Sequence, residues 1–484
     1  MARYVQHGYD GFEDELEAFD EHAYDVFQTG AMPRSSQVSP MPKKKSRWKI
    51  TAVVATILIA GGAVGIWMAS GKSTSLLWGP LVSQAHQVHE TGTYDEPLVA
   101  YSAFGGDSTV QGGIPETEGE SVPVEAPAPS QPAAAPISTA ISANWNTYYR
   151  DRLDARFISD YDAIFNSIDA MTDHASLPIP LNQSDLECVL DCVRLDHPEV
   201  FWLEDEYSCW FENDVCTKVA FTYCASKEER NSDAAQLEAA VASMVAAAAD
   251  LPNDYEKVRF FYHAVTETTS YDASLPSVYT QTPIGVFLEG VSACAGYSRA
   301  VQMACDKANI PCICVLGTAP DSDTGGDGPH AWNAVIADGV TFYMDVTWGD
   351  VDESSHFTCD EAYLGLTTAD MAATGHIWKY PDMAPICDDP VYEPWILMQT
   401  AFGSYNAHDV ASAIANRLDM GDLVVYLRFP DRAACDAFMY DFCEEGSAAL
   451  EIVTKAHVTI GNSDGIAMHA RRDNGLNVIT YKIE

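Results

Sequence analysis

Two neighbouring stretches decide the fold: GVSACAGYSRAVQMACDKANIP at 290–311 and HAWNAVIADGVTFYMDVTWGD at 330–350. The first predicts a helix with Ser292 as its N-cap and a stop signal at Asn309. Cys294 then lies in the first turn, where unpaired backbone N–H groups and the positive end of the helix dipole stabilise a thiolate. This position favours a nucleophile; the alternative is a buried or disulfide-bonded cysteine.

The second stretch predicts a β-hairpin. Asp338-Gly339 between two apolar runs is the signal of a two-residue turn, and counting back from it places His330 opposite Thr347. Asp345 is then diagonal to His330 on the same face of the sheet, within reach of its side chain. A carboxylate there can hold the imidazole tautomer and stabilise its charge. Alone, either residue would be an ordinary strand-end side chain bonded to the backbone.

A cysteine at a helix start, together with a histidine and an aspartate on one hairpin face, is the arrangement that a nucleophilic triad needs. At Cys294, His330 and Asp345 the chain resembles the transglutaminase-like superfamily in its bacterial extracellular form, over about 143–394. The resemblance implies an α+β, papain-like fold in which the helix that bears the cysteine packs on an antiparallel sheet. It also implies that Cys294 is the nucleophile, His330 the general base and acid, and Asp345 the residue that orients the imidazole. The superfamily includes transferases, proteases, deglycosylating enzymes and inactive members, so the motif predicts the machinery and not the reaction.

Three neighbours are candidates for supporting roles. Trp332 lies on the same strand face as His330 and either walls a cleft or only packs. The backbone N–H of Cys294 is the natural first donor to an oxyanion, and Gln281 or Tyr279 is the candidate for the second. We expect no metal and no cofactor. Structural roles are assigned to three further histidines: His263, His356 and His376.

The composition excludes one class of partner. The 484 residues contain 27 Lys and Arg against 70 Asp and Glu, a net charge of -43. So negative a surface repels phosphate backbones, and we expect no nucleic-acid partner. The chain also has 10 Trp, 23 Tyr and 18 Phe, which indicates that the acidic residues coat a folded body.

An uncharged stretch, ITAVVATILIAGGAVGIWMAS at 50–70, is long enough to cross a bilayer once as a helix. Lys and Arg crowd its N-terminal side at 43–49, which predicts a single-pass cell-membrane protein with a cytoplasmic N-terminus and an extracellular remainder from residue 71. A cleaved signal peptide is the alternative. Gly61 and Gly65 form a GxxxG pair through which two such helices can make a weak homodimer.

The rest of the chain divides by composition. Residues 1–49 are an acidic, aromatic tail, predicted to be disordered or to dock an inside partner, and 71–142 form an extracellular spacer rich in Gly, Ser, Pro and Ala. The transglutaminase-like domain is assigned to 143–394, beginning with an extension of helices and a hairpin. A small α/β module without a catalytic grouping follows at 395–484. All 13 cysteines lie beyond residue 187, on the side placed outside the cell, where disulfides can persist.

These features predict a membrane-anchored extracellular cysteine enzyme. Its Cys294 thiolate attacks an amide of a protein or cell-wall peptide and forms an acyl-enzyme thioester. Water resolves the thioester in a protease or amidase, and an amine resolves it in a crosslinking enzyme. The alternative is a catalytically silent surface module that uses the same fold to bind. An intact set of three triad residues favours the enzyme, because a binding module has no physical need for all of them.

Overall fold

The computed structural model describes residues 99–102, 145–212, 215–321, 325–351, 357, 359–444, 468–473 and 475–483. The predicted cytoplasmic tail, membrane-spanning segment and GxxxG pair lie outside these residues. Within them, no helix combines the length and the apolar character that a bilayer crossing needs. The described chain mixes helices with mainly antiparallel sheets, which agrees with the predicted α+β class.

The described residues form helices and strands in a mixed order along the chain. The α-helices are α1 Ile158–Asp169, α2 Gln183–Asp196, α3 Lys227–Ala247, α4 Asp254–Thr268, α5 Cys294–Ala308, α6 Thr368–Ala373, α7 Pro394–Leu397, α8 Ala407–Asp419 and α9 Arg432–Phe438. The strands are β1 Val99–Ser102, β2 His174–Leu181, β3 Leu203–Glu212, β4 Val215–Tyr223, β5 Ser270–Tyr271, β6 Val291–Ser292, β7 Cys312–Asp321, β8 Gly326–Ala337, β9 Val340–Met344, β10 Leu364–Leu366, β11 Ile377–Trp378, β12 Val424–Arg428, β13 Met468–Asp473 and β14 Val478–Ile483.

The N-terminal sheet has the strand order β1-β3-β4-β2, and α1 and α2 pack against it. β3 and β4 form the predicted hairpin, with Glu212 opposite Val215. Their aromatic and β-branched side chains suit a half-buried pleated surface. β1 comes from the predicted spacer and pairs with β3, with Val99 opposite Cys209. Part of the spacer therefore belongs to this sheet.

The central sheet has the strand order β10-β9-β8-β7-β11 and is antiparallel throughout. The predicted hairpin of β8 and β9 is confirmed, with Ala337 opposite Val340. Asp338 and Gly339 both have positive φ, 51° and 85°. A two-residue turn of this hand requires positive φ at both positions, which is why an Asp-Gly pair occupies it.

Helix α5 lies across β7 and β8. Tyr297, Val301 and Ala304 recur at helical spacing and are fully buried against Val335 and Phe342 of the hairpin. This apolar contact fixes the helix relative to the strands, and so fixes the first turn of α5 relative to the residues that β8 and β9 carry.

The C-terminal sheet has the order β12-β14-β13 and forms its own apolar core with α8 and α9. Several polar contacts join it to the rest of the described chain; among them, Arg471 pairs with Asp360, and the hydroxyl of Tyr363, just before β10, donates to Asp473. Residues 445–467 of this module lie outside the described residues.

None of the thirteen cysteines forms a disulfide in the structure, so the disulfide expectation is not supported. Cys192, Cys305 and Cys435 have no exposed surface and pack among apolar side chains. Cysteines in such surroundings act as small core residues, which accounts for most of the set without any crosslink. The half-exposed thiols are those of Cys188, Cys224 and Cys294.

Candidate active site

Cys294 is the first residue of α5, and Ala293 before it has an extended backbone. Ser292 was predicted to cap this helix, and that prediction is wrong. Ser292 lies on the short strand β6, where its hydroxyl donates to the carbonyl of Thr280 at 2.7 Å instead. The N-cap side chain makes no hydrogen bond to the first turn. The N–H groups of that turn are therefore available to a negative charge at Cys294.

Gly296 explains how the start of α5 is held. A Cβ at this position would lie 2.0 Å from Ser292 Oγ and 2.8 Å from the carbonyl oxygen of Thr280. Only glycine permits so close an approach. The first turn is packed directly against the segment before it, so backbone contact fixes the position of Cys294.

His330 and Asp345 meet directly. His330 Nε2 lies 2.7 Å from Asp345 Oδ2, and both side chains are buried. β9 ends at Met344, so the predicted pairing of His330 with Thr347 is replaced by a turn. In that turn Asp345 Oδ1 accepts the backbone N–H groups of Thr347 and Trp348 at 3.0 and 3.1 Å. The turn holds Asp345 as an acceptor, and its bond to Nε2 leaves Nδ1 of His330 for another partner.

The charges at this pair favour an imidazolium beside a carboxylate. Burial opposes the charged form of His330, but the charge of Asp345, the hydrogen bond to it and Cys294 together raise the pKa of His330 to about 10. Burial also opposes the carboxylate, yet His330 and His376 hold the pKa of Asp345 below its usual range. Cys294 is thus close enough to His330 to act on its charge. An imidazolium beside a thiol stabilises the thiolate.

A second histidine reaches the same carboxylate. His376 Nε2 lies 3.1 Å from Asp345 Oδ2, and His376 Nδ1 lies 2.8 Å from Thr374 Oγ1. His376 was predicted to have a structural role, and no spacing rule connects it to Asp345, 31 positions earlier. The ligand atoms of His330, Asp345 and His376 lie within 4.8 Å of one another, and direct hydrogen bonds account for that closeness.

Cys294 and His330 line the same open cleft, which has a volume of about 940 Å³. Other walls are formed by Tyr271, Gln281, Thr318, Trp348 and Trp378. Arg471 on β13 lines it too, so the C-terminal module contributes to the site. No local pattern predicts that contribution, because it depends on how two separate sheets pack.

The segment that builds this cleft is similar to known proteins. Residues 242–352, which include Cys294, His330 and Asp345, match the family model of the transglutaminase-like superfamily. They form a transglutaminase-like core. The match supports the resemblance seen in the two deciding stretches and covers the helix, the hairpin and the turn after it.

Three solved structures are similar to parts of the chain. A TGase is 16% identical, with 36% of this chain and 50% of that chain covered and a TM-score of 0.22. A proposed cysteine protease from Cytophaga hutchinsonii is 12% identical, with 28% of this chain and 51% of that chain covered and a TM-score of 0.21. A proposed protease from Parabacteroides distasonis ATCC 8503 is 15% identical, with 28% of this chain and 29% of that chain covered and a TM-score of 0.18. The chain thus spans about half the length, or less, of each. No curated protein matches it.

Trp332 was predicted either to wall the cleft or only to pack, and the structure divides these two roles between Trp348 and Trp332. Trp332 has no exposed surface; its ring lies 6.1 Å from that of His330 and 4.9 Å from that of His376. It supports the histidines from inside and does not line the cleft. Trp348 forms the cleft wall instead, with its ring 5.9 Å from His330. Its place three residues after Asp345, in DVTW, is the sequence signal that was available.

The two oxyanion candidates lie in different places. Gln281 lines the cleft together with Cys294. Tyr279 turns its ring toward Phe201, 6.1 Å away, and its hydroxyl toward Cys224. Only Gln281 is therefore placed to reach a group bound at Cys294.

Proposed function

We propose that this chain is a membrane-anchored, extracellular cysteine protease or amidase. The Cys294 thiolate attacks the carbonyl carbon of a peptide amide, the C–N bond breaks, and His330 gives its proton to the leaving amine. An acyl-enzyme thioester remains. One observation carries the proposal: a cysteine at a helix start and a histidine held by a buried aspartate line the same cleft.

The oxyanion of the first step needs hydrogen-bond donors. The backbone N–H of Cys294 is in the first turn of α5 and supplies one. We assign the second to the side-chain amide of Gln281, which lines the same cleft. Gln281→Ala should lower peptide turnover about 10²-fold, which is the usual effect of losing one such donor. It should leave alkylation of Cys294 unchanged, because alkylation forms no oxyanion.

Hydrolysis completes the cycle. Water attacks the thioester, His330 takes a proton from that water, and the Cys294 thiolate leaves as the acid product is released. The cleft is open and carries the polar residues Thr318, Asp321 and Lys379, so water reaches the thioester readily. This access favours water as the acyl acceptor. A lysine amine is the alternative acceptor, and it would make the chain a crosslinking enzyme.

The substrate we propose is a protein or a cell-wall peptide. A cleft of about 940 Å³ is at the upper end of what small-molecule sites occupy, and it admits several residues of an extended chain. The acceptor is tested with casein, incubated with and without a fluorescent primary amine. Peptide release that does not require the amine supports hydrolysis. Incorporation of the amine that depends on Cys294 would establish transfer instead.

Activation of Cys294 is the decisive test of the whole proposal. The purified full chain is treated with limiting iodoacetamide from pH 5 to 9, and the labelled cysteines are mapped by mass. Cys294 should react first and remain reactive well below the free-thiol pKa of about 8.5. Cys294→Ala should remove the fast phase, whereas Cys224→Ala, which removes another half-exposed thiol, should keep it. Slow labelling with an ordinary thiol profile would favour the silent binding module.

The location rests on the uncharged segment 50–70 and the basic residues at 43–49 before it. We propose that residues 71–484 face the outside of the cell, within reach of cell-wall peptides. Mild protease treatment of intact cells should remove the C-terminal part of the chain and leave a short membrane fragment. A chain that is cut only after the cells are lysed would contradict this orientation.

A further inference from the structure

Four hydrogen bonds converge on the carboxylate of Asp345. Oδ1 accepts two backbone N–H groups, and Oδ2 faces Nε2 of both His330 and His376. An ionised carboxylate has about four lone-pair sites, so this one is saturated. Because a carboxylate can only accept, each Nε2 that faces Oδ2 carries a proton. The N–H groups of the two imidazoles therefore donate to the same carboxylate oxygen and share it as an acceptor.

Side-chain contacts on several sides hold the imidazole of His376 in one position. Its Nδ1 lies 2.8 Å from Thr374 Oγ1, whose one hydroxyl proton is shared between Nδ1 and the carbonyl oxygen of Met371, 2.7 Å away. Its ring lies 4.9 Å from that of Trp332 and 4.5 Å from that of Trp348. The ring is therefore fixed at both nitrogens and on its faces, with Nε2 directed at Oδ2.

We propose that His376 is a positioning residue for the reaction at Cys294, acting through the second hydrogen bond to Asp345 Oδ2. This inference rests on the proposed function. By taking part of the charge of Oδ2, His376 weakens the hold of Asp345 on the proton of His330. It also prevents the carboxylate from turning, so that His330 keeps Nε2 on Asp345 and Nδ1 for Cys294.

The charged and titratable neighbours set the direction of the effect. His376 faces Asp345, His330 and, from strand β13, Asp473. Burial lowers the pKa of His376, and Asp345 acts in the opposite direction without overcoming burial. A neutral His376 acts as a hydrogen-bond donor and adds no charge of its own. Its removal should concentrate the charge of Asp345 on His330 and raise the pKa of His330 further.

The reactivity test uses the full chain and two alkylating agents. Iodoacetate is an anion and is attracted by the His330 imidazolium, whereas iodoacetamide is neutral. The ratio of their rates at Cys294 therefore falls as His330 loses its proton. His376→Leu should move the midpoint of that fall upward by about 0.5 to 1 pH unit and slow peptide turnover at neutral pH. His376→Gln retains an N–H donor and should restore the midpoint, and His174→Gln, on an exposed strand position, should not move it.

A second readout does not depend on catalysis. In chains labelled with ¹⁵N-histidine, the proton that His330 Nε2 donates to Asp345 should shift downfield in His376→Leu, because that hydrogen bond strengthens. If His376→Leu does not fold, Thr374→Val carries the test, since it removes the hydroxyl at Nδ1 and should shift the same proton less. An unchanged proton shift and midpoint in a folded His376→Leu chain would overturn the inference, and so would equal effects of Leu and Gln. If the wild-type Cys294 is not activated but the proton still shifts, the proposed function fails and the role of His376 stands.

Discussion

Among the residues that the structure describes, two clusters each bring together a cysteine, a histidine and a carboxylate. In the first, Cys294 and His330 line the cleft and Asp345 lies behind them. In the second, the carboxylate of Glu361 binds His263 Nε2, and His263 is hydrogen-bonded to Cys359. Residue types alone do not separate the two clusters. Their surroundings do, and the comparison shows what a triad needs beyond its three side chains.

Helix position and solvent access distinguish the two thiols. Cys294 begins α5 and opens on the cleft, whereas Cys359 is only 8% exposed, begins no helix and does not line the cleft. Burial raises the pKa of Cys359, although His263 acts in the other direction. Cys359 is therefore a core thiol, removed from the cleft. The first cluster is arranged for attack on a bound group, and the second is not.

The carboxylates differ as well. Glu361 is shared between His263 and Arg259, whose Nε donates to it at 2.7 Å. Burial opposes the charged form of His263, but Cys359, Glu267 and Glu361 raise its pKa to about 12. The second cluster is therefore a fixed network of ion pairs. It joins α4 to the segment that holds the C-terminal module, which is a structural task.

The largest expected effect is on activity when each thiol is removed. Cys294→Ala should lower peptide turnover by about 10³-fold or more, because no nucleophile remains. Cys359→Ala should leave turnover within about 2-fold, since Cys359 touches no substrate. Turnover is measured on casein with the full chain, and the content of folded protein is checked by circular dichroism. A comparable loss in both variants would break the distinction between the clusters.

Exchanging each carboxylate for its amide should separate catalysis from stability. Asp345→Asn should slow turnover about 10²-fold or more, because an amide cannot hold the His330 imidazolium. Glu361→Gln should leave turnover nearly unchanged and lower the free energy of unfolding by about 1–2 kcal/mol, since Arg259 and His263 lose the buried carboxylate that they share. Urea unfolding followed by fluorescence measures the second effect. A Glu361→Gln chain that is stable but inactive would place the second cluster in the reaction.

The sequence predicted the parts of the site that local signals determine. A helix stop and an Asp-Gly turn are each recognised from a few neighbouring residues. These signals predict Cys294 at the start of a helix and His330 on a hairpin strand. The cap at Ser292 was wrong because its hydroxyl found a partner in Thr280, on a segment that propensity rules do not consider. His376 and Arg471 were missed because tertiary packing alone brings β11 and β13 to the cleft.

The two histidines should also differ in pH dependence. The pKa of His330 is raised, so the stabilisation from its charged form is complete below about pH 6.5 and is lost as pH rises through about 10. The rate ratio of iodoacetate to iodoacetamide at Cys294 should fall over the same alkaline range. His263→Gln should leave that profile in place, because His263 has no contact with Cys294. A midpoint near pH 6.5 would show that Asp345 does not hold the proton on His330.

The smallest expected effect concerns the hydrogen bond that links the second cluster to the C-terminal module. The backbone N–H of Glu361 donates to the Tyr426 hydroxyl on β12 at 2.9 Å, and both residues are buried. Tyr426→Phe keeps the ring and its packing but leaves that N–H without its acceptor. We expect a loss of about 1–2 kcal/mol in the free energy of unfolding, with alkylation of Cys294 unchanged.

The matched control is Tyr440→Phe, a substitution of the same kind at an exposed ring, which should change neither quantity. If Tyr426→Phe slowed alkylation of Cys294, the second cluster would be transmitting strain from the module to the cleft. The two clusters would then be one coupled unit. If the two clusters have separate roles, Tyr426→Phe should lower stability and leave the alkylation rate unchanged. The reason is that the side-chain hydrogen bonds that hold Asp345 do not include Glu361 or Tyr426.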